Sequence, residues 1–196
     1  MNPVRNSPPH PEGRASAGAI SNGVNIVLIG MRGSGKTTVA KMLSKRLGWD
    51  FLELDEEIAK KVGMPISDFV AKEGWDAFRD KESEVVAVAA ASDKVVISTG
   101  GGVVVREKNI EALKKSGICI FFQASVDSLF KHIGGEGSKL PRLTGNTSMR
   151  EELEEVLKVR QQLYEKAADE IIDTETLSLD DMVENIVQIM QKRRIT

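Results

Sequence analysis

This chain of 196 residues carries one cysteine, one tyrosine and two histidines, and each scarcity removes a class of chemistry. With Cys119 alone, no intrachain disulfide can form. That agrees with a reducing compartment, and we expect a cytoplasmic protein. Cys119 sits in the apolar run Ile118 to Phe122 and reads as core filler. His10 lies in the unusual N-terminal segment and His132 near a Gly-rich loop, which argues against a multi-histidine metal site or a histidine-based triad, so proton chemistry is expected to fall to carboxylates or lysine. Long apolar runs are also missing. Val85 to Ala91 and Ile118 to Phe122 fall far short of the ~20 residues that span a bilayer. Net charge is −2, so there is no basic excess to draw a polyanion. Neither a membrane nor a nucleic acid is expected as a partner. What remains is a chain with 41% hydrophobic residues, enough for the core of one domain.

Residues 1–23 differ from the rest, with Pro3, Pro8, Pro9, Pro11, Gly13, Gly18 and Gly23 among small polar residues. Lacking an apolar stretch, they do not read as a secretory signal. They are expected to form a disordered, dispensable extension or to precede the true start. From residue 24 to 196 the pattern is a single domain of alternating strands and helices. Strands are expected at Val24 to Ile29, Asp50 to Leu54, Val95 to Ser98, Ile118 to Phe122 and Glu170 to Ile172. Helices are expected at Thr38 to Leu47, Asp55 to Val62, Trp75 to Ala91, Arg106 to Lys115, Ser125 to Ile133, Met149 to Ala167 and Leu179 to Lys192. A further short helix should open with Pro65 at its first position, where a missing N–H costs nothing. Gly134 to Ser148 has no apolar periodicity and at that length reads as a lid. The alternation implies a three-layer α/β/α fold with a mainly parallel sheet.

The strongest motif is Gly30-Met31-Arg32-Gly33-Ser34-Gly35-Lys36-Thr37, which fits the phosphate-binding P-loop between a buried strand and a helix. Backbone N–H groups of Gly33, Ser34, Gly35, Lys36, Thr37 and Thr38 would turn toward the phosphates of ATP, with the helix N-terminus adding positive charge. Lys36 would reach the β- and γ-phosphates, and the Thr37 hydroxyl would ligate Mg²⁺.

Four further features bear on the acceptor. Glu53-Leu54-Asp55 lies at a strand's C-terminal end, where ligands of open α/β sheets bind. Period-two alternation would point Glu53 and Asp55 the same way, to hold Mg²⁺ through water or orient a hydroxyl. Asp55 could instead cap the next helix. Arg79 and Glu82 are three apart on one helix face, as a surface ion pair or as a held guanidinium that grips a carboxylate. Ser98-Thr99-Gly100-Gly101-Gly102 follows a strand and lets backbone approach a small ligand. Arg160 sits in a charged helix after the lid and could reach over the cleft.

Taken together and in this order, the P-loop, the two carboxylates, Phe78-Arg79-x-x-Glu82, Ser-Thr-Gly-Gly-Gly and Arg160-x-x-Leu-Tyr resemble shikimate kinases over nearly all of residues 24–192. The resemblance implies a P-loop fold of the nucleoside-monophosphate-kinase type, with five parallel strands in the order 2-3-1-4-5. It implies a monomeric, Mg²⁺-dependent kinase that moves the ATP γ-phosphoryl to the 3-hydroxyl of shikimate, a step toward aromatic amino acids. On that pattern Asp55 is the candidate base and, with Lys36, a catalytic residue. Arg79 and Arg160 hold the substrate carboxylate, and Glu82 positions the arginines. Gly100, Gly101 and Gly102 offer backbone contacts, and Phe69 and Phe78 are apolar walls.

Departures from the family pattern are as informative. Glu53 stands where aspartate is usual, so a metal-bound water would shift. The usual lid Arg-Pro-Leu-Leu is here Leu140-Pro141-Arg142-Leu143. Arg142 is expected to take the catalytic arginine's role from a shifted loop, with Lys139 or no finger at all as the other readings. His132 lies near where an arginine often meets adenine and either stacks on the base or is simply solvated. The rival readings are a kinase for a gluconate-type acceptor and a nucleotide-binding protein without catalysis.

Overall fold

The structure is a computed structural model that describes residues 24–135 and 148–193. Among these residues, five strands form one parallel sheet in the order β2-β3-β1-β4-β5. The strands are β1 (Asn25–Ile29), β2 (Asp50–Glu53), β3 (Val95–Ser98), β4 (Gly117–Gln123) and β5 (Glu170–Asp173). Helices α1 (Lys36–Leu47), α2 (Leu54–Val62), α3 (Ile66–Ala90), α4 (Glu107–Ser116), α5 (Val126–His132), α6 (Met149–Ala167) and α7 (Leu179–Lys192) complete the alternation.

The central strands are buried on both faces, and their side chains sort by the pleat. Val27 and Ile29 of β1 join Leu54, Ile58, Phe78, Leu113, Leu153 and Tyr164 in the core on one face. Ile26 and Leu28 join Val39, Leu43, Met182 and Ile186 of α1 and α7 on the other. A helical layer thus covers each face, as the alternation implied. No helix among the described residues is long and apolar enough to cross a membrane.

Local boundaries depart from the sequence reading in instructive ways. Pro65 is the residue before α3, with extended geometry (φ −56°, ψ 144°), and its carbonyl starts the helix instead of its ring filling the first turn. The two helices expected on either side of Gly74 are both present within the span of α3, because Gly74 adopts φ 85°, ψ 169°, a non-helical conformation open to glycine at little cost, and kinks the run there. The chain leaves β2 at Glu53, so Asp55 lies in the first turn of α2 and not on a strand. Glu53 precedes the helix, and no side chain caps that end, which removes the capping role for Asp55.

Gly117 shows how tightly the sheet is packed. It pairs with Asn25 across β1 and β4, and an added Cβ would fall on the Asn25 carbonyl. Backbone cannot give way as a side-chain tip can. We expect Gly117→Ala to cost about 1–3 kcal/mol of stability in a denaturant titration, as overpacked cores do.

A phosphate loop beside an acceptor cavity

β1 delivers the chain into the P-loop, and α1 begins at Lys36, two residues earlier than periodicity suggested. Gly35 holds the turn into the helix at φ 88°, ψ 1°, a left-handed conformation that side chains resist. Lys36 is buried; its Nζ donates to the Met31 carbonyl at 2.7 Å and lies 3.3 Å from Ser34 Oγ. Burial pushes its ammonium down to about 8, against the pull of the Glu53 and Asp55 carboxylates. The Thr37 hydroxyl donates to Glu53 Oε2 at 2.7 Å and lies 3.3 Å from Ser98 Oγ. This set of two hydroxyls and a carboxylate is all oxygen, which suits a hard cation such as Mg²⁺ that takes its remaining ligands from water and phosphate. His132 meets the P-loop from α5, its Nδ1 3.1 Å from the Gly33 carbonyl, and is thus brought to the phosphate loop.

Next to the loop lies a cavity of about 470 Å³. Asp55, Phe78, Arg79, Glu82, Gly100, Gly101, Gly102 and Arg160 all line it, together with Met31, Arg32, Ile66 and Trp75. Phe69 does not line it. It packs half-buried against the core, and Ile66, Trp75 and Phe78 supply the apolar wall instead.

The cavity's charges are paired and held. Arg79 Nη1 donates to both Glu82 oxygens at 2.8 Å, and its guanidinium lies over the Trp75 and Phe78 rings. The surface-pair reading of Arg79 and Glu82 is thereby set aside: Glu82 is buried. Desolvation raises the Glu82 carboxyl even against Arg79. Arg160 reaches across from α6 and donates to the Gly101 carbonyl at 3.0 Å. An added Cβ on Gly102 would overlap the Arg79 guanidinium, and one on Gly100 would press on Asp55 Oδ1. The glycines therefore let two side chains close on the backbone. Burial lifts the Asp55 carboxyl to about 6, with Glu53 and Glu82 adding to the rise and Lys36 and Arg79 opposing it.

Sequence reasoning missed Arg32 as a cavity residue. It sits at a free-choice position of the P-loop motif and pairs with Glu152, fully buried at the start of α6, and with Met149 Sδ at 3.6 Å. An arginine inside the motif was the available signal. Tyr164 enters the sequence reading only within the Arg160-x-x-Leu-Tyr motif; its place four residues after Arg160, on the same helix face, is the available clue. Arg142 and Lys139 lie outside the described residues, as does most of the expected lid.

An anion cradle, an oxygen-lined cation position and an adjoining pocket with two arginines and a carboxylate define a P-loop kinase of small molecules. The chain belongs to the shikimate kinase family, whose model matches residues 32–191. It is 42% identical over 164 residues to the shikimate kinase of Thermodesulfovibrio yellowstonii, covering 84% of this chain and 93% of that one. To the shikimate kinase of Symbiobacterium thermophilum it is 40% identical over 171 residues, 87% of this chain and 98% of the relative. Among solved structures, the shikimate kinase of Acinetobacter baumannii in complex with shikimate superposes with a TM-score of 0.81 at 30% identity, over 89% of this chain and 97% of that one.

Proposed function

We propose that this protein transfers the γ-phosphoryl group of ATP to the 3-hydroxyl of shikimate, as a monomer in the cytoplasm. The observation that carries this reading is the joint presence of Asp55, Arg79 and Arg160 around a cavity beside the P-loop. Shikimate bears one carboxylate and three hydroxyls on a small ring. Two arginines match the carboxylate, and the faces of Trp75 and Phe78 match the ring.

The chemistry is mostly placement. Arg79 and Arg160 hold the substrate carboxylate, which leaves the far side of the ring toward the P-loop. Asp55 accepts a hydrogen bond from the reacting hydroxyl and takes its proton as the new P–O bond forms and the bond to ADP breaks. Lys36 leaves the Met31 carbonyl for the β- and γ-phosphates and offsets charge there. Thr37, and Glu53 through water, would hold Mg²⁺, which supplies neutralisation of the phosphate charge. Gly33 to Thr38 cradle the phosphates through their N–H groups, and His132 borders the nucleotide side. Arg142 would supply a further cation from the lid.

The test is ADP release coupled to a spectrophotometric readout, with ATP, Mg²⁺ and shikimate, and with gluconate or no acceptor as controls. Release that requires shikimate is the expected result. Release with gluconate alone, or none in folded protein that binds ATP, overturns the reading.

A further inference from the structure

The three glycines after β3 make a tight turn, closed by the Val103 N–H on the Gly100 carbonyl at 3.2 Å. Gly102 stands at φ −100°, ψ −1°, the third position of a type I turn. The turn's own hydrogen bond does not hold its middle peptide, Gly101–Gly102. With glycine in the third position a type II turn is equally open, and the two types differ by a flip of that peptide. In a trans peptide the carbonyl and the following N–H point in opposite directions, so a flip reverses both. Glycine alone thus leaves the direction of the Gly102 N–H undecided.

Two side chains of α6 decide it. The Gly101 carbonyl accepts from Arg160 Nη1 at 3.0 Å and from the Tyr164 hydroxyl. Tyr164 is fully buried, stacks on Phe121 at 5.0 Å between ring centroids, and brings its hydroxyl within 3.5 Å of Met31 Sδ. Burial pushes its phenol up to about 12, so it stays a donor at working pH. Arg160 lines the cavity and is needed by the substrate carboxylate, so its hold on Gly101 competes with that task. Tyr164 is not among the residues that line the cavity, so no such competition draws its hydroxyl away.

We infer that Tyr164 is a positioning residue for the acceptor: its hydroxyl keeps the Gly101 carbonyl turned toward α6 and so aims the Gly102 N–H at an oxygen of the bound acceptor. This rests on the shikimate kinase reading and adds to it a residue that acts through backbone. The effect belongs to acceptor binding, because the strong acceptor of the Tyr164 hydroxyl is the Gly101 carbonyl, and its contact with the P-loop is to the Met31 sulfur and not to Lys36 or Thr37.

Tyr164→Phe keeps the ring stack and removes only the hydroxyl. In the coupled assay we expect the KM for shikimate to rise about 5-fold, the size of one lost hydrogen bond, with the KM for ATP unchanged. Titration of Trp75 fluorescence, the tryptophan that lines the cavity, should show the same weakening without nucleotide. Circular dichroism on the same samples, at a temperature where the variant is folded, confines the comparison to folded protein. A merely structural role would move both KM values together or neither, and either pattern overturns the inference. If wild type turns over shikimate and the variant's shikimate KM and fluorescence titration match it, the inference alone fails. If wild type shows no turnover with shikimate, the functional reading fails first and takes the inference with it.

Discussion

Asp55→Asn is expected to lower kcat by about 10²–10⁴-fold, the span of a lost general base, while ATP binding persists. The geometry makes the change specific. An amide is isosteric with the carboxylate that sits beside Gly100, so the cavity keeps its shape while the proton acceptor is lost. Initial rates in the coupled assay and nucleotide binding by calorimetry measure the two parts. Wild-type turnover in the variant removes Asp55 from the reaction.

The same carboxyl has a pH signature. Its value of about 6 belongs to the free protein, so kcat/KM for shikimate should fall below about pH 6 as Asp55 protonates. The stability effect has the opposite sense to that of a salt-bridged aspartate. Burial raises the folded value above the ordinary 3.8, so between those two values the folded state binds more protons than the unfolded. Stability contributed at this site is present at low pH and is lost as pH rises from about 4 to about 6. Asp55→Asn should therefore melt higher than wild type at pH 8, with the gap closing near pH 4. A variant that is less active yet more stable separates loss of chemistry from loss of fold.

Arg79→Leu carries the second large effect, and it should appear in two independent measurements. Shikimate KM is expected to rise on the order of 100-fold, since a hydrogen-bonded charge on the substrate carboxylate is lost. Stability should fall by about 3 kcal/mol, because Glu82 is left buried without the guanidinium that both its oxygens accept. The two effects have different owners, and a cycle separates them. Glu82→Gln added to Arg79→Leu removes the orphan charge and should recover stability while the shikimate KM stays high. Recovery of the KM in the double variant would show that Arg79 acts only by holding the helix.

How far the site could be read from sequence depended on how local its geometry is. The P-loop is contiguous, so its glycines, Lys36 and Thr37 can be recognised wherever a strand and a helix flank them. Asp55 reaches the cavity by another route than the one expected. Alternation along a strand was to align it with Glu53, but β2 ends at Glu53 and the first turn of α2 presents Asp55 to the cavity. Phe69 shows the converse. Its residue type suited an apolar wall, but it packs half-buried away from the cavity, and Ile66, Trp75 and Phe78 form that wall.

By itself the sequence determined the three-layer class, through periods of two and of 3.6, and the phosphate chemistry, through a motif whose parts lie within eight residues. Its scarcity of histidine and cysteine also pointed to carboxylates and lysine for proton transfer. Tertiary structure alone decided which distant groups meet. Arg32 and Glu152 are 120 positions apart, and Gly101 and Tyr164 are 63 apart. No local pattern relates them. They touch because parallel strands bring their C-terminal ends to one edge of the sheet, where α6 crosses back over them. Burial in the folded chain, and not the residue types, moves Asp55 up to about 6 and Lys36 down to about 8.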